Sequence, residues 1–149
     1  MIAKGFTIAF AESATCGSIA AEFSLSTDAG KFLMGGIGCY NACIKENLLD
    51  VDHQLIEQFT PESPEVTHAI TRGLGKLFRA DILIGCTGLT CPGGSETSEK
   101  PVGTMFMHGM HDGQTIFQDR STFAGDQQAI IQSTIRRTAF LLQDYLQKT

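Results

Sequence analysis

Residues 11–21 read Ala-Glu-Ser-Ala-Thr-Cys-Gly-Ser-Ile-Ala-Ala and follow the apolar run Phe6-Thr7-Ile8-Ala9-Phe10. A carboxylate, hydroxyls and a thiol therefore meet where a buried strand gives way to a helix. Backbone N–H groups at a helix start can hold an anion or a developing negative charge. Ser13 thus has two readings, a nucleophile for acyl transfer or a helix cap. A serine hydroxyl needs a base before it attacks a carbonyl well at neutral pH. No serine occupies a Gly-x-Ser-x-Gly elbow, and none of the four histidines is an obvious partner. Lys45 is the candidate base, because a lysine in a partly desolvated pocket loses basicity; otherwise it is a solvated surface charge. Tyr40 alone reads as an amphipathic packing residue. A third reactive stretch begins at Thr87-Gly88 and runs to Pro101, with glycines, prolines and hydroxyls typical of a loop. It is the longest irregular stretch and a candidate binding loop. All three segments fall where strands end, the usual place for ligands in open α/β sheets.

Elements must bring these segments together. Residues 6–11 read as a buried strand and 15–24 as a helix rich in small residues. Asp28-Ala29-Gly30 breaks the pattern. Residues 32–40 have strand character, with three glycines that suggest close backbone approach, and 41–49 suit a short helix. A longer helix is expected over 64–79, capped by Ser63, with Pro64 in its first turn and Val66, Ile70, Leu74, Leu77 and Phe78 on one face. Residues 82–86 form an apolar strand and 87–101 the loop. Residues 102–110 and 114–123 read as antiparallel strands around His111-Asp112-Gly113. Asp126 caps a final helix with Ile131, Ile135, Ala139, Leu142 and Leu146 at helical spacing. The order β-α-β-α-α-β-loop-β-β-α favours a mixed sheet covered by helices on both faces.

Composition narrows the function classes. A chain of 149 residues fits a single domain over 1–149. It is 42% hydrophobic and 18% charged, ordinary for a globular protein, and no apolar stretch approaches the roughly 20 residues of a membrane span. The start carries no cleavable leader pattern, so a cytoplasmic protein without a membrane role is expected. A net charge of −5 with no basic cluster argues against nucleic acid as a ligand. Cysteines 16, 39, 43, 86 and 91 lack zinc-site or scaffold spacing and are expected to be reduced thiols.

The segments taken together resemble the C-terminal domain of the CinA family, whose members include stand-alone nicotinamide-nucleotide amidases. The matching pieces are AESATCGSIAA at 11–21, GGIGCYNACIKENLLDV at 35–51, PEVTHAI at 64–70, ADILIGCTGLTCPGG at 80–94, EKPVGT at 99–104 and FAGDQQ at 123–128. The resemblance implies a single α/β domain of three layers, α/β/α, with a mixed, mostly parallel sheet containing a late antiparallel hairpin. It implies hydrolysis of the carboxamide of nicotinamide mononucleotide to nicotinate mononucleotide and ammonia, without metal or organic cofactor. The partners implied are a small-molecule pyridine nucleotide and further copies of the chain in a homo-oligomer. The family's reactive serine, tyrosine and lysine fall on Ser13, Tyr40 and Lys45. On this mechanism Lys45, directly or with Tyr40 as relay, takes the Ser13 proton, and backbone N–H groups of Thr15, Cys16 and Gly17 face the oxyanion. Thr87, Gly88, Gly93 and Gly94 would shape the ribose-phosphate site; Lys100 is either the phosphate's cation or a solvated loop charge.

The sequence also departs from that family pattern. Ala14 stands in place of a cysteine and Cys16 in place of a glycine, so Cys16 is expected either to narrow the pocket or to strain the turn. Thr90-Cys91 replaces Ala-Gly, and Gln127 and Ile131 stand where two arginines are usual. A second reading follows from these changes, a ligand-binding or protein-interaction module that has lost turnover.

Overall fold

The apolar run after Phe6 forms β1 (Ile8–Glu12) in the computed structural model, which describes residues 1–149. All five of its residues are buried, so both faces are covered. Side-chain alternation sends Ile8 and Phe10 to one face and Ala9 and Ala11 to the other. β2 (Leu33–Gly38) and β3 (Ile82–Gly88) flank β1, both parallel to it. β4 (Thr104–His111) and β5 (Gln114–Thr122) extend the sheet antiparallel, giving the order β2-β1-β3-β4-β5. Four of the five strands therefore point the same way, and only β4 runs against them.

One face carries α1 (Ser18–Ser24) and α5 (Gln127–Lys148), whose Ile19, Ile130, Ile135 and Leu142 pack on Ile8, Phe10, Ile82, Ile84, Met105 and Met107. The other carries α2 (Ala42–Leu49), α3 (His53–Phe59) and α4 (Pro64–Leu77), with Leu49, Ile56, Val66, Ile70 and Leu74 against Ala9 and Ala11. Each such fully buried aliphatic side chain contributes roughly 1.5–3 kcal/mol. Small strand residues let α4 lie close to the sheet. A methyl group at Gly85 would meet Thr71 Oγ1 at 2.2 Å.

The three-layer arrangement, the mixed sheet and the hairpin agree with the reading of the sequence; several boundaries do not. β1 runs on to Glu12, and α1 begins at Ser18 rather than at residue 15. The backbone explains the late start, because Cys16 (φ 46°) and Gly17 (φ 97°) are left-handed and cannot belong to the helix. α3 has no counterpart in the expected order. Its seven residues, capped by Asp52 on the Gln54 N–H at 2.9 Å, are too few for an amphipathic period to stand out. α4 starts as expected, with Ser63 accepting from the Val66 N–H, but ends at Leu77; Phe78 is extended and Leu77 is 48% exposed. The buried face of α5 is rotated toward Ile130, Thr134 and Thr138. Both threonines turn their hydroxyls back on carbonyls four residues earlier, Ile130 O and Thr134 O, and so behave as apolar residues. His111 closes β4, leaving Asp112 (φ 49°) and Gly113 (φ 74°) as a two-residue turn. No helix is long and apolar enough to cross a membrane.

Helices α2 and α4 touch at Gly73, where an added methyl would stand 2.0 Å from Leu49 O. Gly73→Ala is therefore expected to lower stability by about 2–3 kcal/mol in urea denaturation. Gly30→Ala, with no atom within 4 Å of the added methyl, serves as the neutral comparison.

Candidate active site

The parallel strands β1, β2 and β3 end at one edge of the sheet, and the chain leaves them at Ser13, Cys39 and Leu89. The crossover through α1 lies on one face and that through α2, α3 and α4 on the other, so a crevice opens beyond β1. Ser13 and Cys39 carry the strand pairing one step further: Ser13 N–H donates to Cys86 O at 2.9 Å and Cys39 N–H to Glu12 O at 2.7 Å.

Glu12 is 1% exposed and turns toward α1. Its Oε2 accepts from the Thr15 hydroxyl (2.7 Å) and the N–H groups of Gly17 and Ile19 (3.0 Å each), and its Oε1 from Ala20 N–H (2.8 Å). A carboxylate thus takes the position at the helix start that an anionic ligand could have filled. The Cys16 N–H donates to Ser13 O and the Ser18 N–H to Thr15 O. After Ser13, the N–H groups of Ala14 and Thr15 are the ones left uncommitted. Of the three N–H groups expected to face an oxyanion, those of Cys16 and Gly17 are committed within the turn, and that of Thr15 is free, as is that of Ala14.

Ser13 falls on the opposite side of the chain from Glu12 and lines a cleft of about 360 Å³ with Ala14, Tyr40, Glu62 and Gly88. The far wall is the loop segment from Leu89 to Gly94. Tyr40 is 58% exposed at the mouth. Lys45 is fully buried on α2, whose first turn is capped by Asn41 accepting from Cys43 N–H. Its Nζ donates to Cys39 O (2.7 Å) and Tyr40 O (3.1 Å), both in the segment that pairs with Glu12. Burial pulls Lys45 below the ordinary lysine range, and the neighbouring Cys39, Glu62 and Cys43 oppose this. A neutral amine has two N–H groups and a lone pair. Two carbonyls match that form, whereas the ammonium would hold a third N–H in a desolvated place. Burial also pushes the Cys39 thiol up to about 11, so it stays protonated.

The other expected residues divide. Gly88, Gly93 and Gly94 line the cleft, as does Cys91. Thr87 does not: its hydroxyl is fully buried against Thr67 Oγ1 at 2.7 Å, behind β3 on the α4 side. Gly17 has its N–H on Glu12, and Cys16 strains the turn without entering the cleft lining. Lys100 is not a free loop charge. Its Nζ donates to Thr60 Oγ1 (2.7 Å), Glu62 O (2.9 Å) and Ser95 Oγ (2.7 Å), tying the loop to the α3–α4 connection. Gln127 donates to Thr90 Oγ1 at 3.2 Å, so two of the unusual residues contact each other. Ile131 lies in a separate depression with Ser18 and Asp126. All five cysteines are free thiols.

Glu62 escaped the sequence reading, although it is the one charged residue in the cleft wall. It lies beside the Ser63 helix cap in the Pro61-Glu62-Ser63-Pro64 connection, where only turn chemistry is legible.

The family model described as CinA C-terminal domain matches residues 1–146. A CinA-like protein of Desulfotalea psychrophila is 34% identical over 151 residues, covering 98% of this chain and 35% of that protein. One of Geotalea uraniireducens is 35% identical over 144 residues, covering 97% of this chain and 33% of that protein. The chain spans about a third of the length of these curated relatives. Among solved structures, the competence damage-inducible protein A (ComA) of Klebsiella pneumoniae is similar with a TM-score of 0.92 at 29% identity, covering 97% of this chain and 89% of that one.

The Glu12 contacts carry a direct expectation for stability. Glu12→Gln puts an NH2 group where N–H donors converge and removes the charge, so it should cost about 2–4 kcal/mol in urea denaturation. A loss under about 0.5 kcal/mol would show that the carboxylate does not hold the start of α1.

Proposed function

This chain belongs to the CinA C-terminal domain family, and on that premise we propose that it is a serine amidohydrolase acting on a pyridinium carboxamide, with nicotinamide mononucleotide as the reference substrate. The observation that carries this reading is a fully buried lysine whose two hydrogen bonds match its neutral form, held by the segment that flanks a cleft-lining serine.

Ser13 Oγ attacks the amide carbon while the Lys45 amine accepts its proton, directly or through the Tyr40 hydroxyl. The N–H groups of Ala14 and Thr15 stabilise the oxyanion, a role worth roughly 3–4 kcal/mol per donor in comparable sites. The C–N bond breaks, the lysine returns its proton to the departing nitrogen, and ammonia leaves. Water then attacks the acyl-serine with Lys45 again as base, releasing the carboxylate and restoring the serine. One amide and one water give one carboxylate and one ammonium ion, the acid's proton passing to the ammonia in water.

The departures at Cys16, Cys91, Gln127 and Ile131 favour a second reading, a binding module without turnover. An ammonia-release assay on nicotinamide mononucleotide separates the two. Parent protein should release ammonia, and Ser13→Ala and Lys45→Met should each reduce kcat by about 10³-fold or more while remaining folded. Because catalysis needs neutral Lys45, whose pKa is lowered, activity should rise as pH increases through that lowered value and then level off. Folded parent protein that releases no ammonia would overturn the amidase reading for that substrate; release unaffected by Ser13→Ala would overturn the mechanism.

A further inference from the structure

The amidase reading leaves open which pyridinium carboxamide fits, and the charges around the cleft bear on that choice. None of its eleven lining residues is a lysine or an arginine, and Glu62 supplies a carboxyl group, whose Oε2 accepts from Ser95 Oγ at 2.5 Å and leaves Oε1 to the cleft. A phosphate entering at the Gly93-Gly94 turn would look for backbone N–H donors. That turn already holds the chain's own anion, since Glu96 Oε1 accepts from Gly93 N–H at 2.8 Å. Donors from this turn hold the Glu96 carboxyl below the ordinary range.

Lys100, the cation beside this wall, has no proton to spare for a ligand, since all three have acceptors, in Thr60, Glu62 and Ser95. Gln127 brings no charge, and its amide faces Thr90. An adjoining cavity of about 570 Å³ holds Arg120 beside Lys100, but Glu62, Glu65, Glu99 and Asp119 also line it. Arg120 donates to Glu99 O and stacks on the Phe106 ring. A phosphomonoester dianion would therefore meet carboxylates before it met a free cation. An N-ribosylated pyridinium without phosphate carries a single positive charge, complementary to Glu62.

Resting on the amidase reading of this cleft, we infer that its preferred substrate class is the pyridinium carboxamide nucleoside, with Glu62 and Glu96 selecting against the phosphorylated form. Glu62 stands in the cleft wall with Ser13, and Glu96 takes up an N–H of the loop that forms the far wall.

Ammonia release from nicotinamide riboside and from nicotinamide mononucleotide, each as kcat/KM, tests the ranking. The riboside should be favoured by about tenfold or more, and Glu62→Gln and Glu96→Gln should each narrow that ratio about threefold to tenfold. Glu22→Gln, an exposed change of equal charge on α1, should leave the ratio unchanged. A parent protein that prefers the mononucleotide, or a ratio unmoved in both cleft variants, would overturn the inference while leaving the amidase reading intact. Calorimetric binding of the two compounds to Ser13→Ala gives a readout independent of turnover. Tighter riboside binding without ammonia release from the parent would overturn the amidase reading and uphold the charge selection. Tighter mononucleotide binding, or no binding of either compound, would overturn the charge selection.

Discussion

A carboxylate buried without a cation is held in place by hydrogen bonds alone, and Glu12 receives four of them from Thr15 and the start of α1. This contact fixes how the chain leaves β1. The helix cannot begin until its N–H groups have reached the carboxylate, so residues 13–17 form a tight turn with two left-handed residues, Cys16 and Gly17. Ser13 then falls on the other side of the strand and faces the crevice. Strand exit, helix start and serine position follow from one side chain and the alternation of its neighbours.

Glu12 and Lys45 are both buried ionisable residues, yet they do not pair with each other. Each instead meets backbone groups left over where an element ends. A helix start has N–H groups without partners, which suit an acid; a chain leaving a strand has carbonyls without partners, which suit an amine. The division has a chemical effect. An ion pair would have fixed Lys45 as ammonium, whereas two carbonyls and a desolvated setting leave its neutral form well matched.

The fold was legible where a single physical signal dominates. Buried strands show as apolar runs, Ser63-Pro64 and Asp126 announce helix starts, and Asp112-Gly113 announces the hairpin. It was illegible where residues act out of type. Thr134 and Thr138 look polar but close their hydroxyls on their own helix, which hid the true face of α5. Helix α3 was too short for periodicity to register. At the site, the sequence pattern brought Ser13, Tyr40 and the glycines of the loop to attention, and they do share a cleft. It misjudged Thr87, Gly17 and Lys100 because their partners, Thr67, Glu12 and Thr60, are distant in the chain or turned back along it. Long-range satisfaction of donors is not written in local spacing.

The attachment of Lys100 to Thr60, Glu62 and Ser95 gives the loop after β3 its anchor. Chains with paired cysteines fasten such loops covalently, but here every thiol is free. Three hydrogen bonds from one ammonium group restrict the loop's wandering as a crosslink would, with one difference in kind. Such a fastening can release and re-form in the time of ordinary loop motion, with no redox partner and no bond made or broken. The far wall of the cleft is thus latched rather than welded, by contacts that need no redox chemistry to part.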